Sequence, residues 1–240
     1  HRGAVYWGMT LPSECLICHQ WPGPALCESC ILNFAQPRAR CQLCALPGAD
    51  PVCSACRATP PVWDACLCAV DYGYPWQACV ARLKFQGELG LANSLGQLMR
   101  HAPWVERALE QATCLLPMPL SDQRLRERGY NQALLLARSL RQGLKIPLPV
   151  HWLQKWRDTP AQSELARDER LRNVAGSFSL APSHRHRLRN ARVVLVDDVM
   201  TTGASLQAAC QVLRHAGVAH ITTLVLARTN APGAGPSEKS

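Results

Sequence analysis

The sequence predicts an α/β fold built on a parallel sheet and preceded by a small cysteine-rich module. Three observations carry that expectation. Val193, Val194, Leu195 and Val196 form an unbroken aliphatic run, which suits a strand buried on both faces, as in parallel sheets. Strand-like stretches near 66–72, 113–119 and 148–153 are separated by stretches of helical periodicity. Eight of the 13 cysteines fall within the first 60 residues as four Cys-x-x-Cys pairs.

At 240 residues the chain is long enough for one α/β domain and a small appendage. With 48% hydrophobic and 18% charged residues, it has the composition of a soluble globular protein. No apolar run approaches the ~18 residues of a membrane span. No basic-then-apolar secretory pattern opens the chain, so a cytoplasmic location is expected. The chain begins at His1 rather than Met, which leaves room for upstream residues. Net charge is +9, and residues 1–60 hold four arginines against three acids, so the surplus lies downstream. A basic surface favours phosphates, of sugars or of nucleic acids, although many basic proteins bind neither.

The cysteine pairs are Cys15-x-x-Cys18, Cys27-x-x-Cys30, Cys41-x-x-Cys44 and Cys53-x-x-Cys56. The first two repeat as the last two at an offset of 26 positions, an internal duplication. Each Cys-x-x-Cys turn sets two sulfurs on one side, and two turns complete a tetrahedral S₄ site for zinc. The stretches between are too short and too rich in Pro and Gly for a packed core, so metal would supply most of the folding free energy. A disulfide framework is the competing reading and fits poorly where no secretory signal is visible. The pattern resembles a double zinc ribbon, expected to ligate sequentially, with crossed ligation or a single occupied site as the alternatives. Thr59-Pro60-Pro61 reads as a stiff linker, which places the domains at 1–60 and 61–230, followed by a disordered tail at 231–240.

Beyond the linker, 66–72 alternates like a strand, and Pro75 can start a helix covering Trp76, Val80, Leu83 and Phe85. Lys84 ends that helix beside Phe85 and a Gly87 turn; a cation snorkelling from the helix end is the plainer reading. Residues 89–99 give a second amphipathic helix, and 113–119 a short buried strand interrupted by prolines. Arg124, Arg126 and Arg128 follow in a charged loop, before an Arg-Gly-Tyr-Asn-Gln run that opens a helix through Leu140. Arginines between a strand and a helix start are well placed to grip phosphate oxygens. A polar stretch around 157–174 suits a mobile lid, and the basic run 184–189 a solvated loop with nucleic-acid contact as a minor option. Cys66, Cys68, Cys79, Cys114 and Cys210 lack ligand spacing and are expected as small buried residues.

The aliphatic run ends in Asp197 and Asp198, then Val199, Met200, Thr201, Thr202, Gly203, Ala204 and Ser205, then an apolar helical stripe. Unpaired N–H groups at the helix start, three hydroxyls and a glycine make an anion site. The two acids would repel a phosphate, so they need a different role, either accepting from vicinal hydroxyls or holding a divalent cation through water. Phosphate on one side and a diol on the other describes a ribose 5-phosphate. The string resembles the phosphoribosyl-pyrophosphate (PRPP) motif of type I phosphoribosyltransferases. The resemblance gives the ribose hydroxyls to Asp197 and Asp198, and the 5-phosphate to 201–205.

The cysteine pairs, Leu83-Lys84-Phe85, the segment from Pro117-Met118-Pro119-Leu120 to Gln132, Thr159-x-x-Gln162, Arg170-x-x-Asn173 with Phe178, and the PRPP motif together resemble the ComF family. That resemblance implies a type I phosphoribosyltransferase-like sheet with helices on both faces, a zinc-binding N-terminal part, and a link to natural transformation and use of external DNA. Two expectations follow. In the first, an enzyme binds PRPP with Mg²⁺, using Lys84, Arg124 and Arg128 on the phosphates, and transfers the phosphoribosyl group to an unidentified acceptor. In the second, a non-catalytic adaptor binds single-stranded DNA or a competence protein through the ribbons and the basic surface.

Overall fold

In the computed structural model, residues 13–156 and 177–230 are described. The lid stretch with Thr159, Gln162, Arg170 and Asn173, and the tail at 231–240, lie outside them. The chain divides into two compact units, one ending at Gln36 and the other beginning at Pro37.

In the smaller unit, the Cys15–Cys18 knuckle is closed by the His19 N–H donating to the Cys15 carbonyl at 2.9 Å, with His19 at φ 62. Cys27 caps helix α1 (Glu28–Phe34), which carries Cys30. The second cysteine set repeats this backbone inside the larger unit. The Ala45 N–H donates to the Cys41 carbonyl at 2.8 Å, Ala45 has φ 56, and Cys53 caps α2 (Ser54–Ala58). The duplication visible in the cysteines therefore extends to the left-handed residue after each first knuckle.

The larger unit is built on four strands: β1 (Ala65–Asp71), β2 (Cys114–Pro117), β5 (Arg192–Met200) and β6 (His220–Arg228). Their order is β1-β6-β5-β2, and every pairing is parallel. Continuous aliphatic runs make the inner strands: β6 is buried at eight consecutive positions and β5 at Val193 to Val196. Two strands, β3 (Leu153–Lys155) and β4 (Phe178–Leu180), form a separate antiparallel pair. The expected strand near 148–153 begins only at Leu153. Pro147 and Pro149 lack the N–H groups a ladder needs, and the Pro147 carbonyl instead accepts from Leu115 N–H at 3.0 Å.

The helices are α3 (Trp76–Phe85), α4 (Leu91–Arg100), α5 (Val105–Glu110), α6 (Asp122–Arg128), α7 (Gln132–Leu140) and α8 (Ala204–His215). Val193 and Leu195 share a core with Leu206, Ala209, Cys210 and Leu213 of α8. Side chains alternate across a strand, so buried Val194 and Val196 face the opposite layer, where α4 and α7 pack on the sheet and on each other. Helices thus cover both faces. Phe85, expected on the covered stripe of α3, is 75% exposed. It stands two residues past buried Leu83, about 200° round the helix. The charged segment with Arg124 and Arg128 is helix α6 rather than a loop. Ser121 Oγ accepts from Arg124 N–H at 3.2 Å at its start, and Gly129 ends it at φ 78. The basic run expected as a loop is a 3₁₀ segment, Pro182–Leu188, whose His184 stacks on Trp152 with ring centroids 4.9 Å apart.

The second cysteine set does not stand apart from the sheet. Cys41, Cys44, Ala45 and Cys56 lie in the same core cluster as Trp63, Val193, Met200 and Leu206. Cys66 N–H in β1 donates to the Gln42 carbonyl at 2.7 Å.

Candidate functional site

A cavity of about 920 Å³ opens at the carboxyl ends of the strands, where open α/β sheets place ligands. Asp197, Asp198 and Thr201 reach it from β5 and its following turn, and Ser205 from the first turn of α8. Arg124 and Arg128 line it from α6, and Lys84 with Phe85 from the end of α3. Positions four apart share a helix face. That is why Arg124 and Arg128 enter together while Arg126, also singled out in the sequence, is absent from the lining.

Of the glycine-hydroxyl turn, Thr201 and Ser205 line the cavity; Thr202, Gly203 and Ala204 are not among the lining residues. Thr202 is exposed, and its Oγ1 accepts from Ala204 N–H at 3.4 Å. Gly203, at φ 79, turns the chain into α8; a Cβ there would stand 2.6 Å from Met200 Cε and 3.4 Å from Trp63 Cη2. The first N–H groups of a helix have no intrahelical acceptor and attract an anion.

The acids are unevenly placed. Asp198 is buried at 3% exposure, and its Oδ2 lies 2.6 Å from Lys84 Nζ. Asp197 Oδ1 accepts from the Asp198 N–H at 2.9 Å. Burial, and then the adjacent Asp198 charge, hold the Asp197 carboxyl well above the usual carboxylate range, while Lys84 pulls the other way. A carboxyl raised in this manner is relieved by hydroxyl donors or a cation, and carboxylate oxygens are the donor type that suits magnesium. Arg128 lies 5.3 Å from the centroid of exposed Phe85 and donates to Gln132 Oε1 at 2.5 Å.

The cysteines gather in sequential sets: the sulfurs of Cys15, Cys18, Cys27 and Cys30 lie within 4.8 Å of one another, and so do those of Cys41, Cys44, Cys53 and Cys56. A zinc–sulfur bond of about 2.3 Å in a tetrahedron spaces sulfurs about 3.8 Å apart. The separations are 3.8 Å for Cys15–Cys30, 3.6 Å for Cys18–Cys27 and 3.6 Å for Cys44–Cys53. The donor set therefore fits zinc. Burial raises the Cys15 thiol, but backbone N–H groups of Cys18, Cys27 and Ile17 outweigh it and bring it to about 6. Cys41 is likewise raised by burial and brought down to about 7 by the amides of Cys53, Leu43 and Cys44. Cys30 and Cys56 are pushed up by burial and by the neighbouring thiols. Four crowded sulfurs cannot all ionise without a cation between them.

Residues 130–239 match the phosphoribosyl transferase domain family. Competence protein F of Haemophilus influenzae is 34% identical over 179 residues, covering 73% of this chain and 78% of the relative. The chain belongs to the ComF family. The DNA utilization protein YhgH of Salmonella typhimurium is 28% identical over 232 residues, covering 92% of this ComF chain and 99% of the relative. Among solved structures, the purine phosphoribosyltransferase of Pyrococcus horikoshii Ot3 is 18% identical, with a TM-score of 0.35 over 72% of this chain and 84% of that one.

Sequence reasoning missed some of this ComF protein's site. Tyr72 and Lys155 line the cavity, Lys155 with its Nζ 5.7 Å from the Phe178 ring centroid. Arg228 is also missed, although it ends a strand whose β-branched run, Ile221, Thr222 and Thr223, is plain in the sequence. The five remaining cysteines are buried, and burial pushes Cys66 up to about 12 and Cys68 and Cys114 to about 11, which leaves them inert thiols. No helix among the described residues is long and apolar enough to cross a membrane.

Proposed function

We propose that this cavity binds PRPP with Mg²⁺ and that the protein is a phosphoribosyltransferase acting on an acceptor yet to be identified. The observation that carries the reading is the convergence of Asp197, Asp198, Thr201 and Ser205 with Lys84, Arg124 and Arg128 around one cavity. The 5-phosphate docks on the amides and hydroxyls of 201–205. Asp197 and Asp198 accept from the ribose hydroxyls, which supplies donors to two adjacent carboxylates. Arg124 and Arg128 hold the pyrophosphate. Bound magnesium would be held by the carboxylates and by the ligand's own phosphates, and it would offset their charge. As pyrophosphate departs, positive charge grows on the ribose, and the fixed acids stabilise it without reorganising.

Membership of a family whose Haemophilus influenzae member is named for competence, and a Salmonella typhimurium relative named for DNA utilization, support work connected with acquired DNA. Zinc on the two cysteine sets is the structural metal of this reading. Calorimetry with PRPP and Mg²⁺ is the test, with single-stranded DNA titrated in parallel. The expected result is a saturating PRPP heat whose affinity falls at least 100-fold in Asp197→Asn. DNA binding without any PRPP heat would replace this reading with that of a non-catalytic adaptor.

A further inference from the structure

The carbonyls at the start of the phosphate turn are held by a side chain from another strand. Arg228 closes β6 and is 6% exposed. Its Nη1 donates to the carbonyls of Met200 at 3.0 Å, of Thr201, and of Thr229 at 2.8 Å. Its Nε donates to the carbonyl of Cys44 at 2.8 Å. Cys44 belongs to the second cysteine set, so one guanidinium joins a metal knuckle to the turn that would cradle the sugar phosphate.

Two further links run the same way. Trp63 Nε1 donates to the carbonyl of Leu43, the residue before Cys44, and the same ring backs Gly203. Cys66 donates its N–H to the Gln42 carbonyl at 2.7 Å, and its Sγ lies 3.8 Å from Met200 Sδ. The knuckle thus presents three successive carbonyls, of Gln42, Leu43 and Cys44, to residues that touch the phosphate turn. All of this lies within the unit beginning at Pro37. The first set, by contrast, has Ile17 and Phe34 as the hydrophobic neighbours of its buried cysteines.

A buried guanidinium holds its geometry when each N–H faces an acceptor, because a donor left dry and unsatisfied is costly. The direction of the Cys44 carbonyl depends on the knuckle keeping its shape, and a metal bridging four sulfurs keeps it. When the bridge is lost, the Nε acceptor moves, the fork turns to find another, and the Met200 and Thr201 carbonyls lose their anchor.

We infer that Arg228 is a positioning residue through which metal at Cys41, Cys44, Cys53 and Cys56 sets the geometry of the phosphate turn. The second cysteine set is then part of the sugar-phosphate site's support rather than a separate docking module. For its ligand arm this inference rests on the sugar-phosphate reading above.

The test is hydrogen–deuterium exchange over residues 196–206 in the full chain, in three states: zinc-loaded, stripped by a chelator, and reloaded with zinc. Exchange at this segment should quicken at least tenfold on stripping and return on reloading; no change would overturn the inference, and this arm needs no variant. Arg228→Lys keeps the charge but loses the planar fork. Its segment should exchange fast while it retains the wild-type zinc content, and stripping should add little more. An equal effect of stripping in both proteins would show that the coupling does not pass through Arg228. Titration with ribose 5-phosphate supplies the ligand arm: the dissociation constant should rise about tenfold in Arg228→Lys. If the zinc-loaded wild type binds neither ribose 5-phosphate nor PRPP while exchange still follows zinc, the sugar-phosphate reading falls and the coupling stands. If it binds both with the same affinity before and after stripping, the coupling falls and the site reading stands.

Discussion

Lys84→Met tests the electrostatics of the site through stability alone, with no ligand required. Lys84 Nζ lies 2.6 Å from Asp198 Oδ2, and the two side chains are 21% and 4% exposed. Methionine preserves most of the stem's packing and removes the charge, leaving buried Asp198 and half-buried Asp197 side by side without a cation. Removing one partner of a buried ion pair costs about 3–5 kcal/mol. The partial exposure of Lys84 lets water reach the vacated place, so the lower end, about 3 kcal/mol, is the expected loss. At about 2–4 °C per kcal/mol for a chain of this size, Tm should fall by about 6–12 °C at pH 8. The pH dependence has a definite sign. Burial and the Asp198 charge already raise the Asp197 carboxyl, and Lys84 opposes the rise; without Lys84 it grows. A carboxyl raised in the fold favours the fold below its unfolded value of about 3.9, and that contribution is lost as pH climbs through the folded value. The Lys84→Met deficit should therefore be smallest near pH 4 and largest at pH 8. Adding Asp198→Asn should recover about 2 kcal/mol, because the charge left stranded is then gone. Thermal melts followed by circular dichroism at the two pH values read all of this. A Tm within 2 °C of wild type at pH 8, or deficits that simply add in the double variant, would refute the argument.

Gly203→Ala asks whether the left-handed turn into α8 is required: at φ 79 an L side chain costs about 1–2 kcal/mol, and Met200 Cε, 2.6 Å from the new Cβ, must also swing aside. Calorimetry should show phosphate affinity reduced about tenfold, and unchanged affinity would mean that the turn tolerates a side chain. Asn131→Ala removes a cap that accepts from Leu134 N–H at 3.2 Å, and an Nδ2 donor to the Met118 carbonyl at 2.9 Å. Urea unfolding should give a loss of about 1–2 kcal/mol with an unchanged m-value.

What could be read from the sequence was what is local. Cys-x-x-Cys spacing places two sulfurs within one turn, so each four-cysteine set draws on residues at most 15 positions apart, while the choice of sequential over crossed sets is made by the structure. The strand, acid pair, turn and helix around Asp197 are likewise contiguous. Helix α6 is hard to see in the sequence because it buries none of its residues and shows no apolar stripe for periodicity to find, although Ser121 and Asp122 are good cap residues. Phe85 is misplaced by counting it with Leu83 on one face, when two residues span more than half a turn. The bond from Arg228 to Cys44 joins positions 184 apart, and no pattern along the chain announces that. Placing the second cysteine set in the sheet's own core needed the same long-range information.

The distribution of charge within the cavity limits what it can accept. A plain phosphate chain would be welcomed by Arg124 and Arg128 but opposed by the carboxylates of Asp197 and Asp198 on the same lining. A neutral sugar would satisfy the acids and bring no negative charge to Arg124 and Arg128. The complementary ligand carries hydroxyl donors between two anionic ends, with the donors placed to meet adjacent carboxylates. A nucleic-acid backbone presents its phosphates in regular succession and, in DNA, has no vicinal diol at all. The uneven placement of acids and bases therefore favours a phosphorylated ribose over a strand of DNA as the occupant of this cavity.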